Sequence, residues 1–433
     1  MMKKKIIAKY ITGMLILSGI FFLFITGCEK DDPLPSKDDP PLSEEIRARD
    51  YLYNLMNDWY LWYDKMPDVD KSQYNTPEEL LEAMRFLPKD IYSYITSWQE
   101  FESQMLEGKY IGHGFSWDFD DNGNVRIIFV FKDSPLYDKG VRRGWIINKV
   151  NGTTITTENG STIFGDNTVY DNTIEFITPA GSTVSINTAK KEIQKNSVLY
   201  YDTLNVNGTV TAHMVFQEFT QPSSEEFTEV FSFFNSKGAT EMILDLRYNP
   251  GGLTSVATLL ASLITGGNTS GEIFVNYIYN DKNSDETSSA IFEEQTNSLN
   301  LNRVIILTTG GTASASEALI NGLKPHIKVV TIGTTTYGKP VGMRVFEYED
   351  YVFLPITFRI ANSNDESDYY DGIQPDALCD DDFTRAFDNR EEACLKEAIY
   401  YIKNGSFSGT KGRKIKAHEE KVSYRELLEK RAI

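Results

Sequence analysis

Two short apolar runs, each leading straight into a segment of small and turn-forming residues, constrain the fold of this chain most strongly. The first lies within 242–246 and leads to Asn-Pro-Gly-Gly at 249–252, and the second covers 304–307 and leads to Thr-Gly-Gly-Thr-Ala-Ser at 309–314. Apolar runs of this length are typical of strands buried on both faces. Such strands alternate with helical patterns between residues 196 and 403, which predicts an α/β core.

A serine and a lysine stand out among the residues that follow the second run. Ser314 lies between that run and the helical pattern at 318–323, and Lys339 lies in a tight Tyr-Gly-Lys-Pro turn further along. A serine becomes a nucleophile when a base removes its proton, and a lysine can be that base once burial lowers its pKa. The pair predicts a serine–lysine hydrolase site. Glu317, one helical turn after the serine, is placed to orient the lysine or to hold its ammonium form.

Hydrolysis of this kind also needs N–H donors for the oxyanion that forms during attack. The first turn of a helix leaves backbone N–H groups without internal partners, so Ala315, directly after the serine, is one candidate donor. The turn at 249–252 supplies the other, because glycine lets the backbone approach a substrate closely. The sequence favours Gly251 or Gly252 and does not choose between them.

The same residues also allow other interpretations. Ser314-x-x-Glu317 fits a helix capping box, with Ser316 as a second candidate for the N-cap. His326 is the rival base, although a histidine near the end of a helix is commonly structural. The four histidines of the chain show no ligand-like spacing, so no metal site is expected.

A glycine-rich stretch at 333–339 imitates a phosphate-binding loop. Its Gly-x-x-x-x-Gly-Lys pattern follows an apolar run, but Pro340 stands where such loops need a magnesium-binding serine or threonine. The following residues, 341–346, alternate like a strand, whereas a phosphate loop opens a helix. Neither a nucleotide nor any other cofactor is therefore expected.

Four segments occur in the order, and with the serine-to-lysine spacing, of the C-terminal processing peptidases, also called tail-specific proteases. The segments are 245–253, 313–317, 337–339 and 372–376, and the chain resembles that family from about residue 110 to 400. The resemblance implies a crotonase-like (ClpP-like) α/β peptidase core with a PDZ domain inserted ahead of it.

The resemblance also implies a role for each candidate residue. Ser314 matches the nucleophile, Lys339 the general base, and Glu317 an acidic third residue of some members. Ala315 and one of the two glycines match the oxyanion donors. The implied activity is that of a serine endopeptidase that cuts near the C-termini of unfolded or exported proteins through an acyl-enzyme. The alternative is a non-catalytic, peptide-binding lipoprotein that keeps only the PDZ-like groove.

The PDZ part of the resemblance rests on two segments. Residues 134–152 resemble the signature of these domains, with Trp145 where aspartate is usual. Upstream, Gly112-His113-Gly114-Phe115 resembles the loop whose successive N–H groups hold a C-terminal carboxylate while the peptide adds as a strand. A plain glycine-rich start of a strand is the alternative interpretation of this loop.

The N-terminus predicts export and lipid attachment. Residues 1–27 combine a lysine-rich start with an apolar run that is short for a membrane span, as in a signal peptide. Ile-Thr-Gly-Cys ending at Cys28 resembles a bacterial lipobox, which implies an acylated anchor. Residues 28–42 form an acidic, proline-rich tether, whose start resembles a surface-export signal or is simply a charged linker. The expected location is the outer membrane of a bacterial envelope, on the periplasmic or the outer face.

The net charge limits the partners that the chain can bind, and the cysteine content limits the disulfides that it can form. The chain has 43 basic and 62 acidic residues and a net charge of −19, which argues against nucleic acid as a partner. Protein or peptide substrates with exposed C-termini and the membrane, through the lipid anchor, are the expected partners. Cys379 and Cys394 either pair as a disulfide or remain two buried thiols.

Outside the α/β core, the chain divides into three further parts before and after it. Residues 43–107 predict a helical domain, in which one apolar face runs from Leu52 to Tyr63 and Pro67 stops the helix. Residues 108–195 correspond to the PDZ-like domain. Residues 404–433 form a charged tail that ends in a helical pattern.

Overall fold

The computed structural model describes residues 42–160, 162–165, 171–409 and 422–429. The predicted signal peptide, Cys28 and nearly all of the tether lie outside the described residues. Within the described ranges, no helix combines the length and the apolar character that crossing a membrane requires.

The N-terminal part of the body is mainly helical. Its elements are α1 (Glu44–Trp59), α2 (Pro77–Met84), β1 (Tyr94–Ser97) and α3 (Trp98–Phe101). The sequence predicts that the first helix extends past Tyr63 to a stop at Pro67, and this prediction is wrong. Helix α1 ends earlier because the next residues turn toward the core, where Leu61 donates its N–H to Ile356 O at 2.8 Å.

An all-β segment follows. Its strands are β2 (Lys109–Gly112), β3 (Phe115–Phe119), β4 (Val125–Val130), β5 (Ile146–Val150), β6 (Thr153–Thr154), β7 (Asp171–Ile177), β8 (Thr183–Ala189) and β9 (Lys191–Gln194). Strands β3, β4, β5, β7 and β8 form an antiparallel sheet in that order, with β6 paired to β5, while β2 and β9 form a separate ribbon. Among the described residues, β3 is therefore an edge strand of this sheet.

Strands and helices alternate through the rest of the body. The elements are β10 (Val198–Val206), β11 (Thr209–Phe216), α4 (Ser223–Ser236), β12 (Glu241–Asp245), α5 (Thr254–Thr265), β13 (Ile273–Tyr279), β14 (Ser288–Ile291), β15 (Arg303–Thr308), α6 (Ala315–Leu323), β16 (Lys328–Gly333), β17 (Val341–Met343), β18 (Phe346–Tyr348), β19 (Tyr351–Leu354), β20 (Ile356–Asn362), β21 (Ala377–Leu378), α7 (Ala393–Asn404) and α8 (Tyr424–Glu429). The two apolar runs form β12 and β15, as predicted.

The central sheet brings the loops after its strands to one edge. Its order is β10-β11-β12-β15-β16-β21, in which β10 and β11 are antiparallel and all later neighbours are parallel. Ile305 pairs with Ile243 on one side and with Val330 on the other. Because parallel strands end at the same edge, the loops after β12, β15 and β16 lie side by side there.

Helices cover both faces of this sheet. Leu244 and Ile306 pack into the cluster that contains α4, α5 and α6, whereas Ile243 and Ile305 pack against α7 on the other face. Alternate residues of a strand point to opposite faces, so a strand covered on both sides needs apolar residues at every position. This arrangement explains the apolar runs, with the buried, ion-paired Asp245 as the exception, and confirms the predicted α/β fold.

Two smaller sheets and the terminal helices surround the loop edge. The sheets have the orders β14-β13-β20-β17 and β1-β19-β18. Helices α1 and α2 share a hydrophobic cluster with Ala313 and Tyr337, which flank the predicted catalytic residues, and with Tyr424 and Leu427 of α8. Segments from both ends of the described chain therefore pack beside the loops at the carboxyl edge of the sheet.

Candidate active site

Backbone hydrogen bonds tie the three loops at the carboxyl edge of the sheet to one another. Asn249 O, in the loop after β12, accepts the N–H of Ala313 and the hydroxyl of Ser316, both at 3.0 Å. In the loop after β16, Tyr337 donates its N–H to Thr312 O at 2.9 Å. The turn that carries Ser314 is thus held from both sides by bonds that do not involve the side chains of Ser314, Glu317 or Lys339.

A buried ion network fixes the loop after β12. The guanidinium of Arg247, which is 2% exposed, lies 2.7 Å from the carboxylates of Asp245, Asp381 and Glu392. Buried charges are tolerated when they are paired and hydrogen-bonded, and removal of one partner leaves an uncompensated charge. The network therefore fixes the backbone two residues ahead of Asn249.

Ser314 adopts a strained backbone conformation at the start of α6. Its φ is 55° and its ψ is −114°, in a region that non-glycine residues avoid at roughly 1–3 kcal/mol. Gly251 makes the turn possible, because a Cβ added there would lie 2.7 Å from Ser314 Cβ and 2.9 Å from Ala315 N. The serine, which is 6% exposed, occupies the N-cap position, and Ser316 lies inside the helix.

Lys339 lies beside this serine in an almost dry environment. Its side chain is 3% exposed, and Nζ is 3.5 Å from Ser314 Oγ and 3.7 Å from Met343 Sδ. In the described part of the chain, no carboxylate forms an ion pair with this ammonium group. Burial lowers the pKa of Lys339 to about 7, against the smaller opposing charges of Asp90 and Glu317. Near neutral pH, a large fraction of this lysine can therefore act as a base.

Glu317 acts on the lysine through the backbone. Its fully buried carboxylate accepts the N–H groups of Ser314 (3.0 Å), Gly338 (2.6 Å) and Lys339 (2.8 Å), and also the hydroxyl of Thr336. Burial raises the pKa of Glu317, and these hydrogen bonds oppose the rise. Of the two predicted roles, orientation of the lysine fits this geometry, whereas a direct contact with the ammonium group does not occur.

The structure distinguishes between Gly251 and Gly252, the two glycines that the sequence offers as oxyanion donors. Gly251 donates its N–H to Asn249 Oδ1 at 2.9 Å, so that group is already engaged. The N–H groups of Gly252 and Ala315 have no hydrogen-bond acceptor within the described residues. Gly252 has a φ of 133°, and a Cβ there would lie 2.2 Å from Phe219 O, so only glycine fits. The geometry therefore favours Gly252 over Gly251 as the partner of Ala315.

Three residues near the lysine were missed by sequence reasoning. Tyr92 donates its hydroxyl to Gly338 O at 2.7 Å, and the buried Asp90 supplies the largest charge effect on Lys339. The ring of Tyr424 lies with its centroid 3.6 Å from Lys339 Nζ. No short motif signals these residues, because each comes from a segment far from the lysine in sequence.

His326, the rival candidate for the base, makes contacts with a different part of the fold. His326 places Nδ1 2.7 Å from Glu272 Oε2 and Nε2 2.9 Å from Ile273 O, so both ring nitrogens contact the start of β13. These contacts give the histidine a structural role between α6 and the neighbouring sheet.

Most N–H groups of the stretch that imitates a phosphate loop are already bound within the protein. The N–H groups of Gly338 and Lys339 are held by Glu317, and Thr334 donates its N–H to Thr308 O at 3.0 Å. The chain then enters β17 instead of a helix. In addition, no group of three or more histidine, cysteine or acidic residues among the described residues is arranged to hold a metal.

The predicted carboxylate loop joins β2 to the edge strand β3. Gly112 ends β2, Phe115 begins β3, and Gly114 has a φ of 80°. Ser134 donates its hydroxyl to the carbonyl of the buried His113 at 2.6 Å. This loop is well separated in sequence from the serine and the lysine, and its role in peptide binding stays a prediction.

Cys379 and Cys394 are free thiols in the structure. Both are buried, and their sulfur atoms lie 3.7 Å and 3.5 Å from Asp380 O. A hydrogen bond to Cys379 and burial both raise the pKa of Cys394. Of the two alternatives that the sequence left open, the structure has the pair of buried thiols.

A hydroxyl nucleophile, a buried amine of lowered pKa and unpaired N–H groups at a helix start are the means of serine-type hydrolysis. The class that the fold and the site define is therefore a serine hydrolase. Comparison with known proteins identifies the family: Peptidase family S41 matches residues 211–379, and the Peptidase S41 N-terminal domain matches residues 47–94, together about half of the chain. The chain belongs to peptidase family S41, a family of serine peptidases.

Named relatives and a solved structure agree with this assignment. A probable CtpA-like serine protease of Staphylococcus epidermidis is 24% identical over 363 residues, which are 80% of this chain and 67% of that protein. The corresponding protein of Staphylococcus aureus is 26% identical over 335 residues, 76% of this chain and 64% of that one. The chain thus spans about two thirds of the length of these relatives. A putative S41 protease from Bacteroides fragilis has a TM-score of 0.71 at 25% identity, covering 85% of this chain and 99% of that one.

Proposed function

We propose that this chain is a serine endopeptidase of the cell envelope that uses a Ser314–Lys339 dyad and cuts near the C-termini of unfolded or exported proteins. The observation that carries the proposal is the 3.5 Å approach of Lys339 Nζ to Ser314 Oγ in a site that lowers the pKa of the lysine. A buried amine without a carboxylate partner stays partly neutral, and a neutral amine can accept the serine proton.

The first half of the reaction forms an acyl-enzyme. As Ser314 Oγ attacks the scissile carbonyl carbon, its proton passes to Lys339 Nζ, and the carbonyl oxygen becomes an oxyanion facing the N–H groups of Gly252 and Ala315. The C–N bond then breaks, and the lysine returns the proton to the departing amine. The product is an ester on the serine and a released C-terminal fragment.

The second half uses the same base on water. Lys339 takes a proton from a water molecule as that water attacks the ester carbon, and the same two N–H groups stabilise the second oxyanion. When the C–O bond breaks, the lysine returns its proton to Ser314 Oγ. Every step needs the base at a fixed distance from the nucleophile, and Glu317 fixes that distance by holding the backbone of both residues.

Selection of C-terminal ends fits the β segment ahead of the core. Its edge strand β3 begins directly after Gly112-His113-Gly114-Phe115, so a peptide can add beside it while the loop holds the terminal carboxylate. We take this segment to be PDZ-like on that basis and on its sequence signature. The predicted lipobox at Cys28 supports a lipid-anchored location at the outer membrane of the envelope, on the periplasmic or the outer face.

The activity is tested with the full-length chain in mild detergent and an unfolded protein such as casein, with products identified by mass spectrometry. Wild type should cleave and Ser314→Ala should not. Ser236→Ala is the matched control, because that exposed serine lies at the end of α4 and its hydroxyl donates to Phe233 O of the same helix, and it should keep the activity. If neither wild type nor the control cleaves casein or reacts with a fluorophosphonate probe, the peptidase proposal is wrong and a peptide-binding lipoprotein takes its place.

The preference for C-termini needs a separate comparison. Two synthetic substrates of identical sequence, one ending in a free carboxylate and the other in an amide, differ only in the group that the loop is proposed to hold. We expect kcat/KM to be higher for the free acid by about tenfold. Equal values would remove C-terminal recognition while leaving the peptidase activity itself intact.

A further inference from the structure

The C-terminal segment of the chain, residues 422–429, lies against the catalytic pair. Tyr424, which is 4% exposed, places its ring centroid 3.6 Å from Lys339 Nζ. Its hydroxyl donates to Pro250 O at 2.9 Å, the carbonyl just ahead of the two glycines. Burial raises the pKa of this tyrosine, and the nearby Ser314 hydroxyl is among the smaller opposing effects. One side chain thus lies close to the nucleophile, the base and the oxyanion loop.

Hydrogen bonds hold this segment in place along its length. Tyr424 donates its N–H to Ile91 O at 2.9 Å, and Arg425 Nη1 lies 3.1 Å from Ile95 O. Tyr337, two residues before the lysine, donates its hydroxyl to Val422 O at 2.7 Å. Leu427 of the same segment is buried in the cluster formed by α1 and α2. The segment is therefore anchored on the residues that surround the base.

Aromatic side chains form the pocket that holds the ring of Tyr424. Its ring centroid lies 6.2 Å from that of Tyr337 and 6.5 Å from that of Tyr94. Contacts between aromatic rings at this distance stabilise the pair beyond the burial of area. The pocket is thus suited to an aromatic side chain, and Tyr424 of the same chain occupies it.

Such an occupant interferes with catalysis by limiting access. With the segment in place, Ser314 is 6% and Lys339 3% exposed, so little of either side chain is open to an extended peptide.

We propose that residues 422–429 are an intramolecular inhibitor that occupies the substrate side of the catalytic centre, and that their displacement admits substrate. This inference rests on the proposed peptidase function for its biological meaning. If the segment occupies the site, a reagent should reach the side chain at position 314 slowly. This reaction rate can be measured without any peptide-bond cleavage.

Access is measured on the full-length Ser314→Cys variant in mild detergent. The rate of alkylation by iodoacetamide is followed at position 314 by mass spectrometry of the peptide that contains it, so the other cysteines do not interfere. We expect the added change Tyr424→Ala to accelerate alkylation at least tenfold. Equal rates with and without this change would overturn the proposal.

Tyr401→Ala in the same background is the matched control. Tyr401 is 5% exposed and stacks on Phe407 at 4.7 Å, so its loss creates a similar defect away from the catalytic pair. Acceleration by Tyr401→Ala as large as by Tyr424→Ala would also overturn the proposal, since general loosening would then explain the effect. If Tyr424→Ala does not fold, Tyr337→Phe removes only the hydroxyl that holds Val422. This milder change should accelerate alkylation two- to fivefold, and an unchanged rate would count against the proposal.

Two further measurements separate this inference from the proposed function. A synthetic peptide with the sequence of residues 422–429 should slow alkylation of the Ser314→Cys/Tyr424→Ala variant, whereas the same peptide with alanine for tyrosine should not. On casein, Tyr424→Ala should raise kcat/KM above wild type by about tenfold.

Faster alkylation with no cleavage by any variant would support the occupancy and reject the peptidase. Lower activity with unchanged alkylation would make Tyr424 a positioning residue for the lysine and reject the inhibitor.

Discussion

Glu317 holds Lys339 by its backbone N–H, at 2.8 Å, while the ammonium group of the same lysine stays free of any contact with that carboxylate. The second N–H on the same oxygen is that of Ser314, at 3.0 Å. A carboxylate in contact with Nζ would stabilise the charged lysine and prevent it from acting as a base. By binding the main chain instead, the glutamate fixes the position of the base without raising its pKa directly through an ion pair.

Replacement of this carboxylate by an amide should weaken catalysis less than loss of the nucleophile. In Glu317→Gln, one acceptor oxygen becomes an NH2 group that faces N–H or O–H donors, so hydrogen bonds to the main chain are lost. The loss of a buried hydrogen bond is worth roughly 1–3 kcal/mol, which corresponds to a fall of about 5- to 150-fold in kcat/KM. Steady-state kinetics on a peptide substrate measure it, with the exposed Glu229→Gln as control. A loss as complete as that of Ser314→Ala would assign the glutamate a direct part in the chemistry.

The activity should rise with pH through the neutral range. Only the neutral form of Lys339 accepts the serine proton, and the pKa of this lysine is lowered to about 7. We therefore expect kcat/KM to increase between pH 6 and pH 8 with a midpoint near 7. The full pH profile of the wild type measures this, and Lys339→Arg, which stays charged, should be inactive throughout. A flat or falling profile over this range would exclude the lysine as the base.

The same lysine should lower the stability of the fold at low pH. Its pKa is about 7 when folded and about 10.4 when unfolded, so between these values the unfolded chain binds more protons. Stability therefore rises with pH above 7, by at most about 1.4 kcal/mol per pH unit, and is lost as pH falls toward 7. Denaturation by urea should show Lys339→Met to be more stable than wild type at pH 6, with a difference that shrinks by pH 9. A constant difference would mean that the lysine is charged in the folded protein.

The turn at the glycine pair should not tolerate a side chain. Gly251 has a φ of 105°, and a Cβ there would lie 2.7 Å from Ser314 Cβ, so Gly251→Ala should displace the nucleophile. We expect kcat/KM to fall by more than 100-fold, with a measurable loss of Tm. Gly238→Ala is the control for backbone strain without a steric clash. Its φ is also positive, at 70°, but no atom lies within 4 Å of the added Cβ. It should lose some stability and keep its activity, and equal inactivation of both variants would contradict the proposed close contact.

The α/β core and the pairing of Ser314 with Lys339 could be predicted because their signals are local. Buried strands produce apolar runs, and parallel strands bring the ends of those runs to one edge, so residues just after β15 and β16 must meet. The choice between the two glycines was not accessible, since it depends on where the Asn249 side chain points. The early end of α1 was missed for a similar reason, because the competing acceptor, Ile356 O, lies nearly 300 residues away.

The contribution of Tyr424 could not be read from the sequence. The C-terminal tail is rich in lysine and glutamate, and nothing in its pattern points toward the catalytic loops. Only the folded chain shows that a tyrosine close to its end lies over Lys339. The same holds for Asp90 and Tyr92, which reach the lysine loop from the segment between α2 and β1.

The hydrogen bonds of Glu317 join residues 314, 336, 338 and 339, which belong to loops after two different strands. Until those strands have paired, the serine and the lysine have no fixed separation, and neither the base nor the nucleophile is active. On the proposed mechanism, an incomplete or unfolded chain therefore has no assembled catalytic pair and is harmless to itself and to its neighbours.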